Sequence, residues 1–200
     1  TFDDRAGGAD VEYSPIGRTR KTAEIYSDVI RKYGIGKIKS SKTDERLSEG
    51  NVAEHLDLIE QYGGRGGKWL KGWMEAEKRP LPDVKTGKEA AADFAEWLLS
   101  KVSDRTQQGG VQEVDAFSHG PAMVAFMLKL EEKLGEKILP ENLQEKNIFE
   151  NVLNYLSYIN LHANSSNPDN VNFSFAGKNF EIPISTLQEL VRENQFMADV

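Results

Sequence analysis

The run Val114-Asp-Ala-Phe-Ser-His-Gly120 constrains this chain most. A short, largely apolar stretch halts at Ser118. A histidine, a glycine and Pro121 then precede an apolar pattern of helical spacing. That order predicts a strand, a tight turn and a helix, with His119 at the carboxyl end of a sheet, where open α/β folds gather their sites. Tyr13-Ser-Pro-Ile-Gly-Arg18 has the same grammar: a strand over 9–13 meets a turn, and Arg18 stands where a helix opens. Two such corners, with strands interleaved by helices, predict an α/β fold of three layers, α/β/α, around a mostly parallel central sheet.

At 200 residues the chain suits one domain, residues 1–200, with an irregular insertion of short helices at about 50–82. Lys plus Arg number 25 against 32 Asp plus Glu, a net charge of −7, which argues against a nucleic-acid partner. No apolar run approaches the ~20 residues that span a bilayer, and no basic-then-apolar leader opens the chain, so no membrane partner and a cytoplasmic location are expected. The absence of cysteine excludes disulfides, thiol nucleophiles and thiolate-bound zinc within these residues. Neither a metal nor another cofactor is expected, and a homodimer is compatible with the sequence.

Spacing predicts a first helix capped by Ser14, with Tyr26, Val29, Ile30 and Tyr33 on its buried face and Gly34 and Gly36 at its end. An extended piece follows over Ile35–Ser40. A helix is expected over Val52–Tyr62, broken by Gly63–Lys68. The next spans Lys88–Val102, its buried stripe formed by Ala91, Phe94, Ala95, Leu98 and Val102. Further helices are expected over Pro121–Leu134 and Glu141 to about Asn154. A strand over Tyr155–His162 and a hairpin of Val171–Phe175 with Asn179–Ile184 follow. Ser185 is expected to cap a last helix from Thr186 to about Glu193.

An arginine at a helix start adds a fork of donors to the positive end of the helix dipole, which makes Arg18 a candidate phosphate seat; the competing reading is a solvated first-turn arginine. His119 is a candidate donor to a phosphoryl oxygen, against a histidine satisfied by a core hydrogen bond. Glu49, in the polar loop Asp44–Gly50, could protonate a leaving oxygen, against a solvated loop acid. His55 and His162 sit in bland surroundings. Gly63-Gly-Arg-Gly-Gly-Lys68 fails the phosphate-loop spacing, because Tyr62 stands where the first glycine belongs and Trp69 replaces the serine or threonine.

Three stretches together resemble the histidine phosphatases, the phosphoglycerate-mutase-like superfamily. Ser14-Pro-Ile-Gly-Arg-Thr-Arg-Lys-Thr-Ala-Glu24 is similar to its second motif, Arg46-Leu-Ser-Glu49 to its acid-bearing loop, and Phe117-Ser-His-Gly120 to its last catalytic motif, in that order along residues 9 to 130. The resemblance implies a phosphate clamp at Arg18, a second phosphate-pocket residue at His119 and a proton donor at Glu49. It also implies an insertion overhanging the pocket, where Arg65, Lys68 and Lys71 could meet substrate anions and Trp69 and Trp73 line a wall; ordinary packing is the competing reading.

The family attacks phosphorus with the histidine of an Arg-His-Gly motif on its first strand, and these residues contain no such motif. The resemblance therefore implies an incomplete chain lacking the first βα unit and the nucleophile. Two functions follow as expectations. One is a phosphomonoester hydrolase working through phosphohistidine on a phosphorylated small molecule, with a phosphoglycerate-type phosphomutase as its variant. The other is a non-catalytic pseudophosphatase that binds phosphorylated ligands.

Overall fold

The computed structural model describes residues 8–50, 60–61, 67–108, 113–139, 160–163, 168–175 and 178–198. It is α/β. Strand β1 (Ala9–Tyr13) is the centre of a three-stranded parallel sheet, with β2 (Ile38–Thr43) on one side and β3 (Glu113–Phe117) on the other. Helix α1 (Gly17–Tyr33) joins β1 to β2. Helices α2 (Gly67–Glu75) and α3 (Gly87–Gln108) precede β3, and α4 (Gly120–Leu134) follows it. Strands β4 (Asn160–Ala163), β5 (Asn170–Phe175) and β6 (Lys178–Pro183) form a separate antiparallel sheet, and α5 (Ile184–Ala198) closes the order.

The register sorts the sheet's faces. Val11 is level with Asp115 and Tyr13 with Phe117, while Glu12 is level with Ala116. From α1, Tyr26 donates its hydroxyl to Asp115 at 2.7 Å and rests its ring 5.3 Å from that of Phe117. From α3, Trp97 and Lys101 donate to Glu12, each at 2.7 Å. Helices α1 and α3 therefore cover opposite faces. Glu12 is 1% exposed and stays a carboxylate: burial acts to raise its pKa, but the donors Lys101, Trp97 and Lys42 outweigh that and hold it below the ordinary value. The main core lies on the α3 side, where Phe94 of α3, Phe126 of α4 and Phe173 of β5 stack in sequence.

Several expectations change. The buried face of α1 is Thr19, Ala23, Ser27 and Ile30, the first three small enough to let the helix lie close on the sheet; of the expected face Ile30 is buried and Tyr26 half-buried, whereas Val29 and Tyr33 point outward. Ser14 follows β1, with its N–H donating to Phe117 O at 2.9 Å; Ile16 is the residue before the helix. The extended piece after α1 is shifted by three residues, running from Ile38 to Thr43 rather than over Ile35–Ser40. Gly67 and Lys68 are already helical in α2, and Trp69 and Trp73 are core rather than pocket wall, with Trp73 Nε1 donating to Lys85 O at 2.7 Å. Among the described residues the late strands pair with one another and not with the parallel sheet. Helix α5 starts at Ile184, so Ser185 lies inside it.

Helix α3 opens with a reciprocal cap: Thr86 Oγ1 accepts from Glu89 N at 3.1 Å, and Glu89 accepts from Thr86 N at 2.7 Å. The expected helix over Glu141–Asn154, most of Val52–Tyr62, and His55 and Arg65 lie outside the described residues. Among the described residues no helix is long and apolar enough to cross a membrane.

Candidate active site

Parallel strands end together, and their ends are tied together. Asp44 N donates to Tyr13 O and Ser14 N to Phe117 O, both at 2.9 Å, so the three strand ends form one rim. Arg18 sits in the first turn of α1. Thr19 fixes that turn by donating its hydroxyl to Ser14 O and Ile16 O, each at 2.8 Å. His119 is the residue before α4, in extended conformation, with Pro121 in the first turn. The positive ends of two long helices thus flank the same rim.

Glu49 arrives from β2 by a short 3-10 turn, Glu45–Leu47. Asp44 accepts from Arg46 N at 3.0 Å and pairs with the Arg46 guanidinium through two contacts, 2.9 and 2.6 Å. Leu47 is fully buried, and its carbonyl accepts the Ser118 hydroxyl at 2.7 Å, which fastens this turn to the corner that carries His119. Lys85 N donates to Glu49 O at 3.1 Å, and the Lys85 ammonium reaches Glu45 O at 2.6 Å. Gly50 has φ +85°, and a Cβ there would lie 2.1 Å from Asp83 O, so only glycine fits. The acid loop is therefore anchored on both sides.

Three residues from three separate segments meet. Arg18 Nε donates to His119 Nδ1 at 2.9 Å, and Glu49 Oε1 lies 4.0 Å from the same nitrogen. Because Nδ1 accepts, the proton of a neutral His119 belongs on Nε2. Burial, aided by the Arg18 charge, depresses the His119 pKa to about 4. Burial raises that of Glu49 to about 7, against the pull of its backbone hydrogen bond, Arg18 and Lys85. Near pH 7 the pair is thus a neutral imidazole beside an acid that is about half protonated, rather than a fixed ion pair. Glu49 Oε2 and His119 Nε2 are both buried, and among the described residues neither has a hydrogen-bond partner. An imidazole donor and a carboxyl oxygen left unsatisfied in one buried corner call for polar partners. Arg18 is exposed at the mouth and adds its charge.

Of the other candidates, Arg65 lies outside the described residues, Lys68 is helical in α2, and His162 is on β4 in the second sheet. Glu12, with its ring of donors, went unread because alternation in Val11-Glu-Tyr13 would turn a glutamate to solvent. Its partners Trp97, Lys101 and Lys42 lie on α3 and β2, with no local pattern that ties them to Glu12. Among the described residues no group of three or more His, Asp and Glu is arranged to hold a metal ion. A cleft of about 640 Å³ lies elsewhere, between the start of α3 and α5. Its Arg79 and Glu89 already pair at 2.8 Å, and it holds none of the three converging residues. Comparison with known protein families, characterised proteins and solved structures returns no match for this chain.

Proposed function

We propose that this corner is the phosphate-handling part of a phosphomonoester hydrolase of the histidine-phosphatase, phosphoglycerate-mutase-like type. The observation that carries the reading is the convergence of Arg18, His119 and Glu49 with two buried polar atoms left unsatisfied. Arg18 and His119 Nε2–H would hold non-bridging phosphoryl oxygens, where preorganised donors are worth most. Glu49, its pKa raised to about 7, would in its protonated form give its proton to the leaving oxygen. A histidine on a segment outside residues 1–200 would form the N–P bond as the P–O bond breaks. Water would then attack phosphorus, Glu49 would take its proton, and phosphate would leave with the histidine freed. A phosphomutase would need further cations at the mouth, for which Arg65 and Lys68 are the candidates.

A second reading, a binder of phosphorylated ligands, is favoured by one observation: among the described residues no second histidine stands beside His119 to act as nucleophile. One experiment treats both. The protein expressed from its whole reading frame is assayed for phosphate release from an aryl and an alkyl phosphate, and for acid-labile phosphate on histidine. Arg18→Ala is expected to lower kcat/KM about a hundredfold, the equivalent of ~3 kcal/mol. Near-normal turnover in that variant sinks the hydrolase reading. Absence of phosphohistidine, with phosphate binding that Arg18→Ala abolishes, leaves the binder.

A further inference from the structure

The cleft of about 640 Å³ is built from the stretch 76–79 after α2, the opening turns of α3, Lys129 of α4 and the second half of α5. Its volume is that of a small-molecule site; packing voids in protein interiors seldom exceed a water molecule. The floor is apolar and made mostly of short side chains. Ala91, Ala92 and Leu190 line it and are 1, 4 and 4% exposed, so alanines leave open the space that larger residues would fill. The rim is charged, and its charges do not balance. Of its acids, Glu89 is taken by Arg79 at 2.8 Å and by Thr86 N, and Glu193 by Lys133, which stands outside the cleft. Lys129 pairs with Glu132, also outside it. Lys78, Lys88 and Glu77 remain, and none of them makes an ion pair among the described residues. Two ammonium groups against one carboxylate leave the unspent rim positive, on a chain whose net charge is −7.

We infer that this cleft binds a small organic anion, its apolar body on Ala91, Ala92 and Leu190 and its carboxylate or phosphate head at Lys78 and Lys88. Other occupants fit less well. A cation would meet a rim whose Glu89 and Glu193 are already paired. A bare inorganic anion would leave the apolar floor uncovered. Nucleic acid needs a far wider basic surface than two lysines. Arg79 is a third donor within reach of the same rim. Its pair with Glu89 is half-exposed and therefore weak, and it uses only Oε1. Glu89 Oε2 keeps its bond from Thr86 N when an anionic head draws the guanidinium away. The site is separate from the phosphoryl-transfer reading, because none of Arg18, Glu49 and His119 lines the cleft.

Two fluorescent probes of the same ring system test this: 8-anilinonaphthalene-1-sulfonate, an anion, and N-phenyl-1-naphthylamine, its neutral counterpart. The protein is expected to bind the anion at one site, at least about tenfold more tightly than the neutral probe. K78E/K88E should weaken the anion at least about tenfold and the neutral probe less than about twofold. A92F, which fills the floor, should abolish binding of both. N194W, which closes the mouth from α5, serves in its place if A92F lowers the urea midpoint. R18A and V29K should leave binding unchanged, which separates the cleft from the phosphate corner and from the exposed flank of α1. Displacement of the anionic probe by decanoate assigns a carboxylate head, and by decyl phosphate a phosphate head. Equal affinity for both probes, binding that survives the filled cleft, binding lost in R18A or V29K, or displacement by neither competitor would each overturn the assignment.

Discussion

The wall that carries Glu49 and the flank that carries Val29 lie on the same small sheet and differ in almost every physical respect. The first is closed. Leu47, Ser48 and Glu49 are buried, and their backbone is tied to Ser118, to Lys85 and across Gly50 to Val84. The second is open, with large apolar side chains in water and a strand edge without a mate among the described residues. A buried acid keeps a raised pKa only where its loop cannot move out to solvent, so the closed wall is what a preorganised proton donor requires. An open apolar flank stabilises nothing by itself and reads as a docking surface. The contrast makes substitutions of similar size differ greatly in effect, according to the region they fall in.

The largest effect is expected at the closed wall. Gly50→Ala would put a methyl group 2.1 Å from Asp83 O at a φ of +85°. Strain and overpacking together should cost about 3 kcal/mol or more, read as a fall in the urea midpoint at constant slope. A loss below about 1 kcal/mol would mean that the loop can slide, and the wall would not be closed.

How much of this contrast was legible in the sequence follows from the residues. Proline and glycine set both corners, so Arg18 and His119 could be placed from Ser14-Pro-Ile-Gly and His119-Gly-Pro alone. Glu49 was legible as a residue type but not as a buried one, because its burial depends on Lys85 and Val84, some thirty-five residues away and unmarked by any local pattern. The face of α1 was misread for a physical reason. Apolar spacing picked out Tyr26, Val29, Ile30 and Tyr33; Ile30 is buried and Tyr26 reaches Phe117, but Val29 and Tyr33 are exposed, and close packing on the sheet selected Thr19, Ala23 and Ser27, whose small size carries no hydropathy signal. Strand β2 ran beyond its expected end because Ser40–Thr43 is polar, as an edge strand can be.

The next effect sharpens the contrast through pH. Between pH 4.5 and about 7 the native protein keeps the Glu49 proton that the unfolded chain has lost, so this group's contribution to stability falls as pH rises through that window. Between about 4 and 6.5 the unfolded chain holds a proton that native His119 declines, so its contribution rises with pH. The two slopes oppose over most of the range and largely cancel in the wild type. Glu49→Gln should uncover a climb of order 3 kcal/mol from pH 4 to 6.5, and His119→Gln a fall of similar size from 4.5 to 7. Urea titrations at several pH values check this. Variants with the same pH profile as the parent would show that the wall admits water freely.

The smallest effect belongs to the open flank, and it is informative because of its neighbour. Val29 and Ile30 are consecutive aliphatic residues of one helix, 40% and 3% exposed. Ile30→Ala removes buried methyl groups and should cost about 2–4 kcal/mol. Val29→Lys removes little that is packed and replaces a β-branched residue with a better helix former, so within residues 1–200 it should change stability by less than about 0.5 kcal/mol. Equal costs at 29 and 30 in residues 1–200 would mean that the flank is already covered, and the division between a closed wall and an open side would fail.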